Sequence, residues 1–213
     1  MKEILLEWLR CPACKSKFDI QINRKEYHEI ADGMLTCKCC AQQFPIANFI
    51  PRFVATDEYA KNFSFEWNLH RQTQLDSEKR LISQDTFIEK TGFCLDDLRG
   101  KLVLDVGVGM GRFADVVERH GATVIGLDIS HSVDAAQKNI GGRPGVHLIQ
   151  ADLFNMPFEA DTFDYIYSIG VLHHTPNCKA AFKKLPPLLK PGGRIAIWVY
   201  SGYIPGEPIN KIW

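Results

Sequence analysis

The stretch from Lys101 to Gly111 constrains the fold most tightly. Lys101 to Val106 (K-L-V-L-D-V) is a short apolar run, suited to a strand buried on both faces of a parallel sheet. It runs directly into Gly107-Val108-Gly109-Met110-Gly111. Arg112 to His120 then sets Phe113, Val116 and Val117 on one helical face, with Asp115 and Arg119 at i,i+4 and Gly121 as a helix end. A strand, a glycine loop and a helix in that order make a ligand cleft. The glycines let backbone come close to a ligand, and the helix start offers free N–H groups.

Further strands follow at regular intervals. Thr123 to Leu127 is a second buried strand, ending in Asp128. Ligands of open α/β sheets bind at the carboxyl ends of the strands, where the Asp128 carboxylate suits the two hydroxyls of a ribose. Val146 to Gln150 is a third strand and leads into Ala151-Asp152-Leu153. A second carboxylate at that strand end is placed to accept from the exocyclic amine of an adenine. Phe163 to Ser168 is a fourth strand, and Leu189 to Gly193 reads as a turn before a fifth, Arg194 to Tyr200. The loop spacing is G-x-G-x-G, so its third glycine comes one residue early for the dinucleotide loop G-x-G-x-x-G.

Five segments carry a family resemblance: VLDVGVGMGRF (103–113), GLDIS (126–130), QADLFNMPF (150–158), FDYIYSIGVLHH (163–174) and LKPGGRIAIWVY (189–200). In order and spacing they resemble the successive motifs of class I S-adenosylmethionine-dependent methyltransferases, of the type 11 kind. The resemblance implies an α/β, Rossmann-like parallel sheet with flanking helices over residues 101–213, and S-adenosylmethionine as cosubstrate. It implies that Gly107, Gly109 and Gly111 border the methionine part of the cofactor, with Asp105 near its amino group. Asp128, followed by Ile129, holds the ribose; Asp152 and Leu153 contact the adenine; Ser168 and Ile169 sit beside the sulfonium. The family sheet has seven strands, and only residues 201–213 follow the fifth here. The expectation is therefore a sheet truncated after its fifth strand, whose exposed edge is open to a second copy or a protein partner.

Methyl transfer from a sulfonium is an in-line displacement with a good leaving group, so alignment of the acceptor supplies most of the catalysis. A general base matters only where the acceptor loses a proton. His173 and His174 follow the fourth strand, and either is a candidate base for a hydroxyl or acidic carbon; the alternative is a histidine of the cleft wall. Methyltransferases acting on exocyclic base amines or glutamine amides carry Asn/Asp-Pro-Pro-aromatic after the fourth strand. Ser168-Ile169-Gly170-Val171 stands there instead, which argues against those acceptors. The expected acceptor is a small molecule methylated at oxygen or carbon. The alternatives are RNA (rRNA or tRNA), and a non-catalytic partner protein that binds cofactor alone.

The amino-terminal region is of another kind. Of seven cysteines, five are Cys11, Cys14, Cys37, Cys39 and Cys40. An odd count clustered near one end of a chain whose first ten residues carry two acids and no small-residue cleavage site argues against a disulfide framework and for a cytoplasmic metal site. Cys11-x-x-Cys14 and Cys37-x-x-Cys40 are two tight turns supplying four soft ligands, the closed tetrahedral set of structural Zn²⁺, with Cys39 spare. Four thiolates leave no open position for catalysis. Phe18 to Ile22 alternates as a half-buried strand, Asp32-Gly33 marks a turn between halves, and Gln43 to Ile46 reads as a short edge strand. So short a segment is expected to need its metal for stability. Leu9-Arg10-Cys11-Pro12-x-Cys14, Gly33-x-Leu35-x-Cys37-x-x-Cys40 and Phe44-Pro45-Ile46 resemble the small zinc-ribbon activators of tRNA and protein methyltransferases.

These readings divide the chain into a zinc-ribbon-like domain (1–52), a helical connector or lid (53–100) and a cofactor-binding domain (101–213). In the connector, Tyr59, Phe63, Phe65 and Trp67 crowd together; Leu81, Phe87 and Ile88 recur at helical spacing, and Thr91-Gly92 ends that helix. Twenty-five Lys+Arg balance 25 Asp+Glu, which excludes nucleic-acid binding through a global basic field. Residues 1–52 hold only a slight basic excess, too mild for an RNA-binding face. No apolar run approaches bilayer-spanning length, so no membrane partner is expected.

Overall fold

The computed structural model describes residues 1–54 and 81–200. The aromatic group Tyr59, Phe63, Phe65 and Trp67 lies outside the described residues. Two sheets form, one antiparallel and four-stranded, the other parallel and five-stranded.

The antiparallel sheet runs β1 (Phe18–Glu26), β2 (Glu29–Cys37), β3 (Gln43–Ala47) and β4 (Ile50–Pro51), paired in that order. β1 and β2 reverse at Tyr27 and His28, both in the left-handed region at φ 51° and 65°, as a two-residue hairpin requires. Two readings are corrected here. Asp32-Gly33 is no turn but lies inside β2, opposite an irregularity of β1 between Ile22 and Arg24. Glycine is needed there because a Cβ on Gly33 would stand 2.5 Å from the Gln21 carbonyl oxygen; it answers close strand approach, not chain reversal. Gln43–Ala47 is likewise not an edge, since β4 pairs along its outer side.

The parallel sheet has the order β7-β6-β5-β8-β9, with β5 (Leu102–Val106), β6 (Thr123–Asp128), β7 (Val146–Gln150), β8 (Phe163–Ile169) and β9 (Leu189–Trp198). Among the described helices are α1 (Ile82–Thr91), α2 (Arg112–Arg119), α3 (Ser132–Ile140) and α4 (Cys178–Lys183). α1 ends where expected, with Gly92 at φ 65° donating to the Ile88 carbonyl at 2.8 Å. β9 begins at Leu189 rather than Arg194. The Pro191-Gly192-Gly193 turn is absorbed as an irregularity inside the strand, because Leu189 already pairs with Phe163. Its outer edge has no partner strand among the described residues.

Alternation along β5 sorts the two faces. Leu102, Leu104 and Val106 enter one buried cluster, while Val103 enters another with Phe87, Val116, Val133 and Tyr167. The first cluster also takes Met1, Leu5, Leu9, Leu35 and Phe44 from the ribbon segment. Each fully buried Leu there contributes roughly 1.5–3 kcal/mol. The amino-terminal segment is therefore not left to a metal alone: it shares its core with the parallel sheet. Backbone continues the join. Arg52 bridges Gln150 in parallel, Phe53 N–H donates to the Gln150 carbonyl at 2.7 Å, and Arg10 N–H donates to the Pro157 carbonyl at 2.8 Å.

Candidate functional site

The glycine loop leaves β5 at its carboxyl end. Gly107, Gly109 and Gly111 all have positive φ, at 85°, 53° and 93°, a conformation that side chains resist. Two of them also have no room. A Cβ on Gly107 would meet Val171 Cγ2 at 2.3 Å, and one on Gly111 would meet Ile140 Cδ1 at 2.5 Å. The third glycine of G-x-G-x-G is thus a packing requirement between the loop and α3.

Three carboxylates stand in or just past successive strands on the side of this loop. Asp105, on the α1 face of β5, is 3% exposed and accepts a 2.8 Å hydrogen bond from the Tyr167 hydroxyl. Burial pushes its acid up to about 7, against the pull of that hydrogen bond. Asp128 ends β6. Its Oδ2 accepts from Gly109 N–H at 2.9 Å, and its Oδ1 accepts from Ser130 N–H and Ser130 Oγ at 2.9 and 2.8 Å. Enclosure pushes its pKa above the ordinary carboxylate range, with these donors pulling the other way. Asp152, after β7, accepts from Phe154 N–H at 2.9 Å and so caps the short turn Leu153–Asn155. Leu153 is buried and Ile129 half-buried beside them.

β8 closes the other side. Ser168 is fully buried and donates to the Val106 carbonyl at 2.9 Å, locking β8 against β5 next to the loop. Ile169 ends the strand, half-exposed. His173 and His174 fall in a short turn, Leu172–His174, with ring centroids 4.0 Å apart. His173 also stands edge-on to Tyr200 at 4.4 Å. Both His173 ring nitrogens are enclosed without a hydrogen-bond partner among the described residues. Burial, then the neighbouring His174, lowers its basicity.

Sequence reasoning missed Tyr167, although a tyrosine in a buried strand is itself a sign of a hidden polar partner. It also missed Arg52 and Gln150, which have no local signature. Two cavities lie away from this cleft. One of about 440 Å³ is at the amino ends of the strands beside Trp8 and Lys190. The other, of about 780 Å³, lies between the β3–β4 turn and α3. The convergence of carboxylates and glycines, not cavity size, marks the candidate site.

In the amino-terminal sheet, the Sγ atoms of Cys11, Cys14, Cys37 and Cys40 all lie within 4.8 Å of one another. Cys11 and Cys40 are 3.6 Å apart, Cys14 and Cys37 3.3 Å. Zn–S bonds of about 2.3 Å imply tetrahedral sulfur–sulfur edges of about 3.8 Å, so the group fits one such ion. Burial works against a thiolate at Cys37, but the N–H groups of Cys40 and Cys39 at 3.5 and 3.4 Å, together with the Cys14 and Cys40 thiols, outweigh it and hold the thiol at about 6. Cys39 is exposed and outside the group.

Residues 104–197 match the family model described as a methyltransferase domain, and residues 2–48 match that of the Trm112p-like proteins. The ubiquinone biosynthesis O-methyltransferase of Coxiella burnetii is 34% identical over 100 residues, covering 46% of this chain and 43% of that protein. The demethylmenaquinone methyltransferase of Thermobifida fusca is 30% identical over 127 residues, covering 58% and 53%. The chain spans about half the length of these curated relatives. A chain from the complex between the Haloferax volcanii Trm112 methyltransferase activator and a methyltransferase superposes with a TM-score of 0.53 at 16% identity, covering 67% of this chain and 59% of that one. That likeness concerns the fold. No described helix is long and apolar enough to cross a membrane. The chain thus carries two family matches in one polypeptide: a Trm112p-like segment over residues 2–48 and a methyltransferase domain, on a Rossmann-like sheet, over residues 104–197.

Proposed function

We propose that this protein transfers a methyl group from S-adenosylmethionine to the oxygen or carbon of a small molecule, with the ribbon holding a structural Zn²⁺. The observation that carries the reading is the placement of Asp105 in β5, Asp128 at the end of β6 and Asp152 just past the end of β7, beside a glycine loop of positive φ. These groups fit the cosubstrate part by part. Asp105 offers a buried charge to an ammonium, Asp128 the acceptor capacity left beside its bonds from Gly109 and Ser130 to a ribose hydroxyl, and Leu153 an apolar wall to a base. When bound, the cosubstrate supplies an activated methyl group on a sulfonium. The chain's own work is to bind, orient and exclude water. His173, whose ring nitrogens have no partner among the described residues and whose basicity burial lowers, is the candidate to take a proton from an acceptor hydroxyl. The ubiquinone biosynthesis O-methyltransferase and the demethylmenaquinone methyltransferase among the relatives support a small-molecule acceptor.

Calorimetric titration with S-adenosylhomocysteine tests the cleft. Wild type is expected to bind in the micromolar range and Asp128→Ala to bind at least about tenfold more weakly, as loss of hydrogen bonds to a charged group implies. Equal binding by the two removes the ribose assignment. Labelled-cofactor transfer to metabolite and RNA pools then separates acceptors, RNA being recognised by salt-sensitive binding.

A further inference from the structure

Arg52 leaves the ribbon and ends inside the methyltransferase domain, only 9% exposed. Its guanidinium takes Asp134 of α3 in a two-point grip, Nη2 to Oδ1 at 2.6 Å and Nη1 to Oδ2 at 3.2 Å. Nη1 also donates to Gln150 Oε1 at 2.9 Å. An amide that accepts through its oxygen must present its nitrogen the other way, and Gln150 Nε2 donates to the Ile129 carbonyl at 3.0 Å. Gln150 is 3% exposed and stands directly opposite Asp128 in the β6–β7 ladder. Ser130, next along, holds Asp128 Oδ1 twice and is itself bonded to Ser132 Oγ at 2.8 Å. One ribbon side chain therefore fixes an amide orientation, and that amide pins the segment bearing the strand-end carboxylate.

We propose that Arg52 is a positioning residue for the cofactor cleft, acting through Gln150 to hold Asp128–Ile129 in the geometry that receives a ribose. The inference rests on the ribose reading of Asp128 given above. Arginine is required because its planar fork reaches Asp134 and Gln150 together, whereas a lysine ammonium is a single point. Docking of the ribbon and shape of the cleft become one event.

Gln150→Glu separates positioning from glue. A glutamate keeps an acceptor for Arg52, and with it the docking contact, but cannot donate to the Ile129 carbonyl. Titration of the full chain with S-adenosylhomocysteine, at a temperature where each variant is folded, is expected to show about a tenfold loss of affinity for Gln150→Glu, whose thermal midpoint falls because the Ile129 carbonyl loses its buried donor, and a similar loss for Arg52→Met. In an Asp128→Asn background the same Gln150→Glu change is expected to cost much less, because both act on one contact. Wild-type binding with Gln150→Glu affinity within about twofold of it overturns the relay and leaves the cleft reading standing. A folded wild type that binds no S-adenosylhomocysteine overturns both.

Discussion

The Tyr167 hydroxyl donates a 2.8 Å hydrogen bond to Asp105, joining two buried side chains on adjacent strands β5 and β8. Phe87 of α1 stands edge-on to the same tyrosine, ring centroids 5.1 Å apart. The carboxyl is thus clamped from the connector side. Its acid sits at about 7 because burial disfavours the anion more than Tyr167 favours it. An incoming ammonium needs the anion. Affinity for S-adenosylhomocysteine is therefore expected to rise as pH increases through about 7, with a proton released on binding. Asp105→Asn is expected to flatten that profile and to weaken binding about tenfold or more. Calorimetry in buffers of different ionisation enthalpy measures both. The linked effect on the free protein has the opposite sense. A carboxyl with a raised folded pKa holds a proton that the unfolded chain has lost, so its contribution to stability falls as pH rises from the ordinary carboxylate range to about 7.

Crowding at the glycines predicts sharply unequal substitutions. Gly111→Ala places a methyl group 2.5 Å from Ile140 Cδ1 at φ 93°. It is expected to cost about 1–3 kcal/mol of stability through strain and overpacking. Gly142 has open space around its Cβ position and no positive φ, so Gly142→Ala is expected to be neutral within about 0.5 kcal/mol. Urea unfolding of the two variants beside wild type checks the contrast.

The cysteine group predicts metal content. Wild type is expected to carry one Zn²⁺ per chain, and Cys11→Ser to lose it, since a fully buried ligand cannot be replaced by water from outside. Cys39→Ser is expected to keep it. Elemental analysis after gel filtration decides. The Cys11→Ser protein should also lose stability, though not unfold outright, because Leu5, Leu9 and Leu35 remain packed in the shared core.

Acid is expected to loosen the ribbon. His147 of β7 is 5% exposed and packs edge-on to Trp8, ring centroids 5.4 Å apart. Burial first, then Lys2 and the Met1 amine, lowers its pKa to about 4. The unfolded chain takes up a proton near 6.5 that the folded chain refuses, so this contribution to stability is lost as pH falls from about 6.5 towards 4. His147→Gln is expected to reduce the fall in urea midpoint over that range. An identical fall in both proteins would remove His147 as the cause. Asp105 changes stability in the opposite direction over much of the same range, so the comparison is made variant against wild type at each pH.

Much of the site was legible in the sequence because its signals are local. A run of apolar residues into G-x-G-x-G, and carboxylates just past two strand ends, placed Gly107, Asp128 and Asp152 before any contact was known. The helix over Ile82–Thr91 followed from spacing and Gly92. Local signals also misled: Asp32-Gly33 has turn composition, yet Gly33 serves the close approach of β1, and the glycines before Arg194 sit inside β9.

Residue periodicity, φ preference and cysteine spacing act over a few residues, so the sequence alone was sufficient for the strand–loop–helix unit, the order of the parallel strands' motifs and the four thiols. Pairings between distant positions needed the folded chain. Tyr167 meets Asp105 across 62 positions, and Arg52 meets Gln150 across 98. Neither pair has a pattern of its own; each exists because parallel strands bring remote residues to one level and because burial obliges a polar group to find a partner. The same requirement joins the amino-terminal segment to the parallel-sheet domain, since Arg52 finds Asp134 and Gln150 there besides the Ala47 carbonyl of its own segment.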